Sequence, residues 1–204
     1  MPKATTLRRI LLNTAGIGLA TTIFATVALM GTAKMEHWSF NMTTCMPIGF
    51  YQRGPIPKAL KDGNRVFFCP PVGSPAMQQA MSGLWLEYAP HGQWDCQDHL
   101  MPFMKEVVAL PGQRVAITKQ GVIANGKRLP NSRVVTSIES GKIPVIHLPY
   151  GTYTVPKGQF WDYAPGNFAY TSTYYGPVPL KNIKGSIHPV PFLTIPGSQY
   201  WMKK

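Results

Sequence analysis

The hydrophobic positions begin with one long run near the start of the chain. Ile10 to Ala33 contains no charged residue. At a rise of about 1.5 Å per residue, this run is roughly 36 Å long as a helix, which is enough to cross a bilayer. Three basic residues precede it, Lys3, Arg8 and Arg9. Because positively charged flanks stay in the cytoplasm, the pattern predicts a cytoplasmic N-terminus at 1–9, a transmembrane anchor at 10–33 and an exported domain at 35–204.

A cleaved signal peptide is the alternative interpretation of the same segment. Gly31-Thr32-Ala33 has the small residues that such cleavage sites use. The apolar run is longer than the roughly 7–15 residues of a typical signal-peptide core, which favours a retained anchor. Both interpretations export the remainder of the chain.

The rest of the chain alternates short apolar runs with prolines and glycines. Such runs, rich in Val, Ile, Phe and Tyr, are typical of strands, and they occur at Arg65–Phe68, Glu106–Leu110, Arg114–Thr118, Val134–Ile138, Val145–Leu148, Thr152–Val155 and Gln159–Tyr163. Asn125-Gly126 predicts a type I′ hairpin turn, and only Pro75–Tyr88 has the composition of a helix. We therefore predict a mainly β domain with one or two short helices and a small β extension at 119–150, preceded by the single transmembrane helix.

The composition suits one domain with an appendage. The chain has 204 residues, of which 45% are hydrophobic and only 14% are charged. Lys and Arg outnumber Asp and Glu by 20 to 8, which gives a formal net charge of +12. A basic surface of this kind favours solubility or contact with anionic lipid. The sequence has no motif or basic helix typical of nucleic-acid binding, so we expect no nucleic-acid partner.

Three cysteines add a chemical constraint, because an exported domain lies in an oxidising compartment. Cys45, Cys69 and Cys96 can form at most one intramolecular pair, which leaves one thiol free. A bridge between Cys69 and Cys96 would staple the segment between them and leave Cys45 as the free thiol. A zinc site on Cys96 and His99 is an alternative, although it lacks two further well-spaced ligands.

Two polar residues stand beside apolar segments in positions that suit catalysis. Cys45 lies in NMTTCMPIGFY, directly before Met46-Pro47, where proline stops any helix. Lys105 lies directly before an apolar run that ends in a Pro-Gly turn. Desolvation disfavours the ammonium form of a lysine, so an inward-facing Lys105 can act as a general base. On this stretch alone, a surface lysine at a strand edge is the favoured interpretation.

Taken in order behind an anchor, these stretches resemble the bacterial type I signal peptidases, and more closely their conjugative-transfer branch, which matures pilin subunits. TTCMPIGFY at 43–51 resembles the nucleophile box, usually Ser-Met-Pro followed by Gly and an aromatic residue. MKEVVALPGQRV at 104–115 resembles the lysine box, and YYGPVP at 174–179 resembles the end of the last box. Cys69 and Cys96 resemble the cysteine pair of the conjugative branch.

The resemblance implies a signal-peptidase-like β domain that cleaves exported precursors and needs no cofactor or metal. In that family a serine attacks the scissile carbonyl, and a neutral lysine takes its proton. By position, Cys45 replaces the serine as nucleophile, Lys105 is the general base, and Cys69 and Cys96 form the disulfide. The implied substrate is a pilin-like precursor. Membrane lipid and components of conjugation or type IV secretion are the implied partners in the bacterial inner membrane, with the catalytic domain in the periplasm.

Two hydroxyl residues take supporting roles by the same resemblance. Thr43 lies where some type I peptidases place an oxyanion-stabilising hydroxyl, with the Cys45 backbone N–H as the second donor. A residue chosen for β propensity is the equal alternative for Thr43. The last box lacks the family's Asp–Arg pair and the Gly-Asp-Asn before it, but it keeps Ser172. Ser172 can hydrogen-bond the lysine, although a turn serine is the favoured interpretation.

Three further interpretations stay open. A Cys–His enzyme needs an oriented histidine near Cys45, and no recognisable context for one surrounds any of the five histidines, His37, His91, His99, His147 and His188. Lys203 and Lys204 follow an aromatic segment that suits either a membrane interface or a frayed tail. A chain that has lost catalysis would act as a scaffold or substrate-binding component of the same secretion machinery.

A cysteine nucleophile also predicts which product the cleavage reaction forms. Its acyl intermediate would be a thioester, which reacts readily with amines, and some conjugative-branch relatives join pilin ends head to tail. We therefore hypothesise that Cys45 favours aminolysis, and hence cyclisation, over hydrolysis.

Overall fold

The computed structural model describes residues 4–35, 37–89, 96–167 and 169–200. The chain divides into two compact units, Met1–Ser39 and Phe40–Lys204. The first is dominated by one helix, and the second contains the sheets.

The helix of the first unit has the length and composition of a membrane span. Helix α1 runs over Ala4–Met35, and its stretch Asn13–Thr32 is long and apolar enough to cross a bilayer, with side chains that are all exposed. Four of its threonines donate to backbone carbonyls one turn earlier: Thr21, Thr22, Thr26, whose bond to the Thr22 carbonyl is 2.9 Å long, and Thr32. Such bonds satisfy hydroxyl groups where lipid offers no partner.

The described residues form thirteen strands and, besides α1, two short α-helices. The strands are β1 (Trp38–Asn41), β2 (Ile48–Gly54), β3 (Arg65–Phe68), β4 (Phe103–Ala109), β5 (Arg114–Thr118), β6 (Gly121–Ala124), β7 (Lys127–Arg128), β8 (Ser137–Ile138), β9 (Ile143–Pro144), β10 (Gly151–Thr154), β11 (Gln159–Tyr163), β12 (Val178–Pro179) and β13 (Ile183–Ile195). The helices are α2 (Pro75–Ser82) and α3 (Ser172–Tyr175). The predicted mainly β fold is confirmed.

The main sheet has seven strands in the order β1-β2-β13-β3-β4-β11-β12. From β2 to β12 every neighbouring pair is antiparallel. The long strand β13 pairs with β2 on one side and with β3 on the other. As a result, the early strand β2 contacts the centre of the sheet only through a strand from near the end of the chain.

A second sheet has the order β10-β5-β6-β7, and β8 pairs with β9 separately. Strands β6 to β9 fall within 119–150, where the sequence predicts a β extension, and β5 and β10 flank that range. Asn125 and Gly126 connect β6 to β7 with φ of 51° and 80°. Positive φ at both positions is what a type I′ turn requires, so the predicted hairpin is confirmed.

The core lies on both faces of the main sheet, as the buried strand β3 makes clear. Val66 and Phe68 belong to the larger apolar cluster, whereas Phe67 between them belongs to a smaller one. Because successive side chains of a strand point to opposite faces, the two clusters cover opposite faces. The smaller cluster also contains Met46 and Tyr51, so it lies beneath the start of β2.

Other sequence predictions are confirmed only in part. Val134–Ile138 contributes only its last two residues to a strand, and Val145–Leu148 forms none. Val145 is buried although it lies in an irregular segment. Its N–H donates to the Thr136 carbonyl at 2.9 Å. The predicted helix Pro75–Tyr88 ends at Ser82, because Gly83 caps it and Leu84 takes a positive φ of 55°.

The predicted disulfide is confirmed, since Cys69 and Cys96 are bonded with Cα atoms 5.2 Å apart. Cys45 is the free thiol. The zinc alternative on Cys96 and His99 is wrong, because the Cys96 sulfur is already bonded. Within the described residues, no group of three His, Cys, Asp or Glu side chains could hold a metal ion.

Replacing both Cys69 and Cys96 by alanine should lower the free energy of unfolding by about 3–4 kcal/mol, because the bridge restricts an unfolded loop between cysteines 27 residues apart. Urea denaturation of the full chain in detergent, followed by tryptophan fluorescence, measures the difference. Cys45→Ala is the control, since its thiol is unbonded. An unchanged midpoint in the double variant would contradict a stabilising role for the disulfide.

Candidate active site

One buried side-chain amide holds the turn that carries Cys45, which we call the Cys45 turn (residues 43–47). The Asn41 Nδ2 donates to the carbonyls of Thr43 at 3.0 Å, Met46 at 3.1 Å and Pro47 at 3.1 Å. Its Oδ1 accepts from the Thr43 N–H at 3.1 Å and the Thr43 hydroxyl at 2.8 Å. Asn41 therefore folds the turn around itself. The motif around Cys45 does not by itself indicate this role for Asn41.

The Cys45 turn is also held by the smaller apolar cluster, by Tyr51 and by Ser198 near the end of the described residues. Cys45 is half-buried and packs against the smaller apolar cluster. Tyr51, which is buried, donates its hydroxyl to the Pro47 carbonyl at 2.7 Å. The Ile48 N–H donates to the Ser198 hydroxyl at 2.7 Å. The peptide bond that ends the turn, between Pro47 and Ile48, is thus held on both its carbonyl and its N–H side.

Gly166 packs its backbone directly against this turn. Its N–H donates to the Cys45 carbonyl at 3.2 Å. A Cβ at position 166 would lie 1.9 Å from the Thr44 carbonyl oxygen and 2.8 Å from the Cys45 Cα. Only glycine allows this approach without displacing backbone. A larger residue at position 166 would therefore push the Cys45 turn away.

Lys105 is the third residue of β4, opposite Val66 of β3. It is only 4% exposed, which is unusual for a lysine. Its Nζ lies 5.3 Å from the centre of the Phe103 ring, an arrangement that stabilises a positive charge. The interpretation as a surface lysine is therefore wrong for this chain.

The structure brings three of the predicted site residues to one cleft. Cys45, Lys105 and Thr43 line a cavity of about 170 Å³. Its walls are mainly apolar and include Trp85, Leu86, Pro102, Phe103 and Tyr170. Among the described residues that line it, none is a histidine, which disfavours the Cys–His alternative. His91 and the tail lysines 203 and 204 lie outside the described residues.

Ser172, the fourth predicted residue, bonds to a carboxyl group that the sequence analysis missed. Its Oγ donates to Asp162 Oδ1 at 2.5 Å and accepts from the Asp162 N–H at 3.0 Å. The Tyr175 hydroxyl also donates to this carboxyl, 2.9 Å from each oxygen. Asp162 is completely buried. The available signal was an acidic residue within the apolar run that became β11.

The charges of this cluster influence one another. Burial raises the pKa of Asp162 to about 6, while hydrogen bonds from Ser172 and Tyr175 and the positive charge of Lys105 oppose that rise. Burial, and then the charge of Asp162, raise the pKa of Tyr175 well above its ordinary value, and Cys45 adds to this effect. Tyr175 thus stays a neutral donor, and Cys45, Tyr175, Asp162 and Lys105 form one electrostatic cluster.

Thr43 has a defined partner in this arrangement. Its hydroxyl proton is donated to Asn41, and a hydroxyl has only one proton to donate. Thr43 must therefore rotate away from Asn41 before it can donate to an oxyanion at Cys45. In the arrangement described, it supports the Cys45 turn.

A half-buried thiol and a buried amine that line one cleft suit nucleophilic catalysis with proton exchange between them. The lining of the cleft also includes the polar side chain of Asn41 and the carboxyl group of Glu87.

Comparisons with known proteins identify the family of the chain. The sequence model of a family described as signal peptidase, peptidase S26, matches residues 8–191. A probable conjugal transfer protein TraF of Sinorhizobium fredii is 30% identical over 171 residues, covering 83% of this chain and 85% of its own length. A conjugal transfer protein TraF of Agrobacterium tumefaciens is 30% identical over 163 residues, covering 80% and 87%.

Two further matches are a plasmid transfer protein and a solved structure. A plasmid transfer protein TraF of Escherichia coli is 30% identical over 170 residues, covering 81% of this chain and 89% of its own. The crystal structure of a signal peptidase I from Enterococcus faecalis is 16% identical, with a TM-score of 0.34, and the match covers 63% of this chain and 97% of that one.

Gly166→Ala should lower the free energy of unfolding by about 1–3 kcal/mol, because the added methyl group overlaps the backbone of the Cys45 turn. The displaced turn should also expose Cys45, so its alkylation by iodoacetamide should become faster. Gly73→Ala is the matched control, since a Cβ there meets nothing within 4 Å. Equal stability and equal alkylation in the two variants would show that close contact at Gly166 does not hold the turn.

Proposed function

The chain belongs to the signal peptidase family, peptidase S26, and to its conjugal transfer relatives, and we propose that it is a membrane-anchored endopeptidase that cleaves an exported pilin-like precursor through Cys45 and Lys105. The observation that carries this proposal is that both side chains line one cleft. Membership of this family supports a hydrolase.

The proposed reaction begins with the proton of the Cys45 thiol on the Lys105 amine. The thiolate attacks the scissile carbonyl carbon, and a tetrahedral intermediate forms. When the C–N bond breaks, the leaving amine takes a proton from the Lys105 ammonium, which leaves a thioester on Cys45. Neutral Lys105 then takes a proton from the attacking water or amine, the C–S bond breaks, and the thiolate–ammonium pair is restored.

The developing oxyanion needs donors beside Cys45. The Cys45 backbone N–H is one donor, and the Thr43 hydroxyl, after rotation away from Asn41, is the second. A donor of this kind typically contributes about 3 kcal/mol to the barrier. Ser172 acts indirectly, because its hydroxyl is hydrogen-bonded to Asp162 and not to the reacting atoms.

The location follows from the apolar helix and the disulfide. The N-terminal apolar helix and the family membership support association with the membrane or the periplasm. We propose a single span with the N-terminus in the cytoplasm and the catalytic unit in the periplasm, where the Cys69–Cys96 bond is stable. Membrane lipid and components of conjugation or type IV secretion are the proposed partners. The relatives are named as conjugal or plasmid transfer proteins, which supports this setting.

A scaffold without catalysis is the second candidate function. The observation that favours it is the last sequence box, where Thr171 and Thr173 stand in place of an Asp–Arg pair. Such a protein would use the apolar cleft to bind the precursor without cutting it. Substitutions of the two cleft residues distinguish the two candidates.

Cys45→Ala and Lys105→Ala should each slow maturation of a pilin-like precursor by at least about 10³-fold, because each removes a group that takes part in bond breaking. Incubation of the precursor with the full chain in detergent, followed by mass spectrometry, measures the rate. Lys157→Ala is the control for the lysine variant, since Lys157 is exposed. Normal maturation by both alanine variants would favour the scaffold.

The same reaction should yield a product lighter by one water than the linear mature peptide, because an amine attacks a thioester more readily than water does. Intact mass measured over a time course separates the two products. Incubation of the synthetic linear peptide alone is the control, and its mass should stay unchanged. A single product with the mass of the linear acid would contradict the cyclisation hypothesis and leave the peptidase proposal intact.

A further inference from the structure

A second cavity lies beside the cleft that Cys45 and Lys105 line. It has a volume of about 220 Å³, and Trp85, Leu86 and Tyr170 line both it and the cleft. The other residues that line it are Val135, Ile138, Val145 and Tyr174. We call it the side cavity. Because the two cavities share three side chains as a wall, a peptide bound in the cleft lies next to the side cavity.

The two cavities differ in their chemistry. The cleft is lined by the Cys45 thiol, the Lys105 amine and the Glu87 carboxyl group. Every described residue that lines the side cavity is aliphatic or aromatic. The side cavity therefore suits an apolar group, because it offers no charged partner that would compensate the burial of a polar one.

The wall that the two cavities share is anchored on α2. The Trp85 N–H donates to the Ala80 carbonyl at 3.0 Å. The Tyr170 hydroxyl donates to the Ala76 carbonyl at 2.6 Å, and its ring stacks on Tyr174 with ring centres 4.8 Å apart. Hydrogen bonds to one helix thus fix both aromatic residues of the wall.

The opposite wall is anchored on the same helix. Val145 is buried, and Gln79 of α2 bonds to the residues on either side of it. The Gln79 Nε2 donates to the Pro144 carbonyl at 2.7 Å, and its Oε1 accepts from the Ile146 N–H at 2.8 Å. Because α2 holds both walls, hydrogen bonds set the width of the side cavity and keep its walls from collapsing together.

The side cavity has the size of one large side chain. An apolar cavity of about 150 Å³ takes up benzene, whereas pockets for separate small molecules usually begin at about 300 Å³. The side cavity, at about 220 Å³, lies between these values. Ile138, at its rim, is half-buried, so the cavity can be reached from outside. A leucine or phenylalanine side chain therefore fits it better than a separate ligand does.

We propose that the side cavity is a specificity subsite that binds one large apolar side chain of the precursor while the bond to be cut lies at Cys45, and that Ile138 and Val145 set the size it accepts. The occupant belongs to the precursor because the wall of this cavity is also the wall of the cleft. An extended peptide advances about 3.3 Å per residue, so the bound residue lies within about four residues of the cut bond. This inference rests on the proposed function of Cys45 and Lys105.

The test compares wild type with Ile138→Trp, in which the larger ring fills the side cavity, as full chains in detergent. Each is given pilin-like precursors that carry leucine or alanine, in turn, at the four positions on either side of the cut bond. At one position, kcat/KM of wild type should be at least about tenfold higher for leucine than for alanine. In Ile138→Trp this ratio should fall to about one, because the leucine precursor is cut more slowly. A ratio that is the same in both proteins, or no position with a preference, would overturn the proposal.

Ile146→Trp is the matched control, since Ile146 is 44% exposed and lines neither cavity. It should keep the wild-type preference for leucine, and loss of the preference in this variant as well would contradict the subsite. Equal slowing of all precursors by Ile138→Trp would indicate that the cavity holds another group, such as a lipid acyl chain, and would also overturn the proposal.

A second readout does not require cleavage. Binding of the fluorescently labelled precursor to Cys45→Ala, measured by anisotropy, should be about tenfold tighter for leucine than for alanine at the same position. Cys45→Ala/Ile138→Trp should bind both equally. This pattern in binding, together with a wild type that does not cleave, would refute only the proposed function. A wild type that cleaves, with the same preference in Ile138→Trp, would refute only this inference.

If Ile138→Trp does not fold, as judged by circular dichroism, Ile138→Ala takes its place. This change enlarges the side cavity, so the preferred residue of the precursor should shift from leucine toward tryptophan at the same position. Alkylation of Cys45 by iodoacetamide should keep its wild-type rate, because Ile138 does not line the cleft. An unchanged preference for leucine would count against the proposal.

Discussion

The site depends on the compensation of a carboxyl group that is buried inside the main sheet. Asp162 has no contact with solvent, and its carboxyl group accepts hydrogen bonds from a hydroxyl and a phenol while the positive charge of Lys105 lowers its pKa against the effect of burial. Each of these partners comes from an element that must be correctly placed: Ser172 and Tyr175 from α3, and Lys105 from β4. The position of the amine in the cleft is thereby linked to the packing of the whole sheet.

The sequence predicts the regular parts of the fold, because local signals decide them. Runs such as Arg65–Phe68 and the Asn125-Gly126 turn carry their structure in a few adjacent residues. Strand β13 is not predicted, since Pro189 and Pro191 interrupt its apolar pattern. Its register with β2 shifts between Pro189 and Thr194. Pairing with β3 before the prolines and with β2 on both sides of the register shift holds this strand in place, and such pairing is invisible to a local pattern.

The site is predictable where it resembles a family and unpredictable where this chain departs from it. Cys45 and Lys105 follow from their boxes, and the structure places both on one cleft. Asn41 and Asp162 belong to neither box. The role of Asn41 depends on three carbonyl groups of a turn, and the role of Asp162 depends on the pairing of β11 with β4. Both roles exist only once the chain has folded.

The place of β2 in the sheet has a consequence for biogenesis. The strand after the Cys45 turn joins the centre of the sheet only through β13, and Ile48 is tied to Ser198. Contacts between residues so distant in sequence form late, because a long loop must close first. The Cys45 turn therefore reaches its place in the sheet only after β13 and Ser198 have been synthesised. A nascent chain without these residues has no assembled cleft, so synthesis itself delays the onset of any reaction.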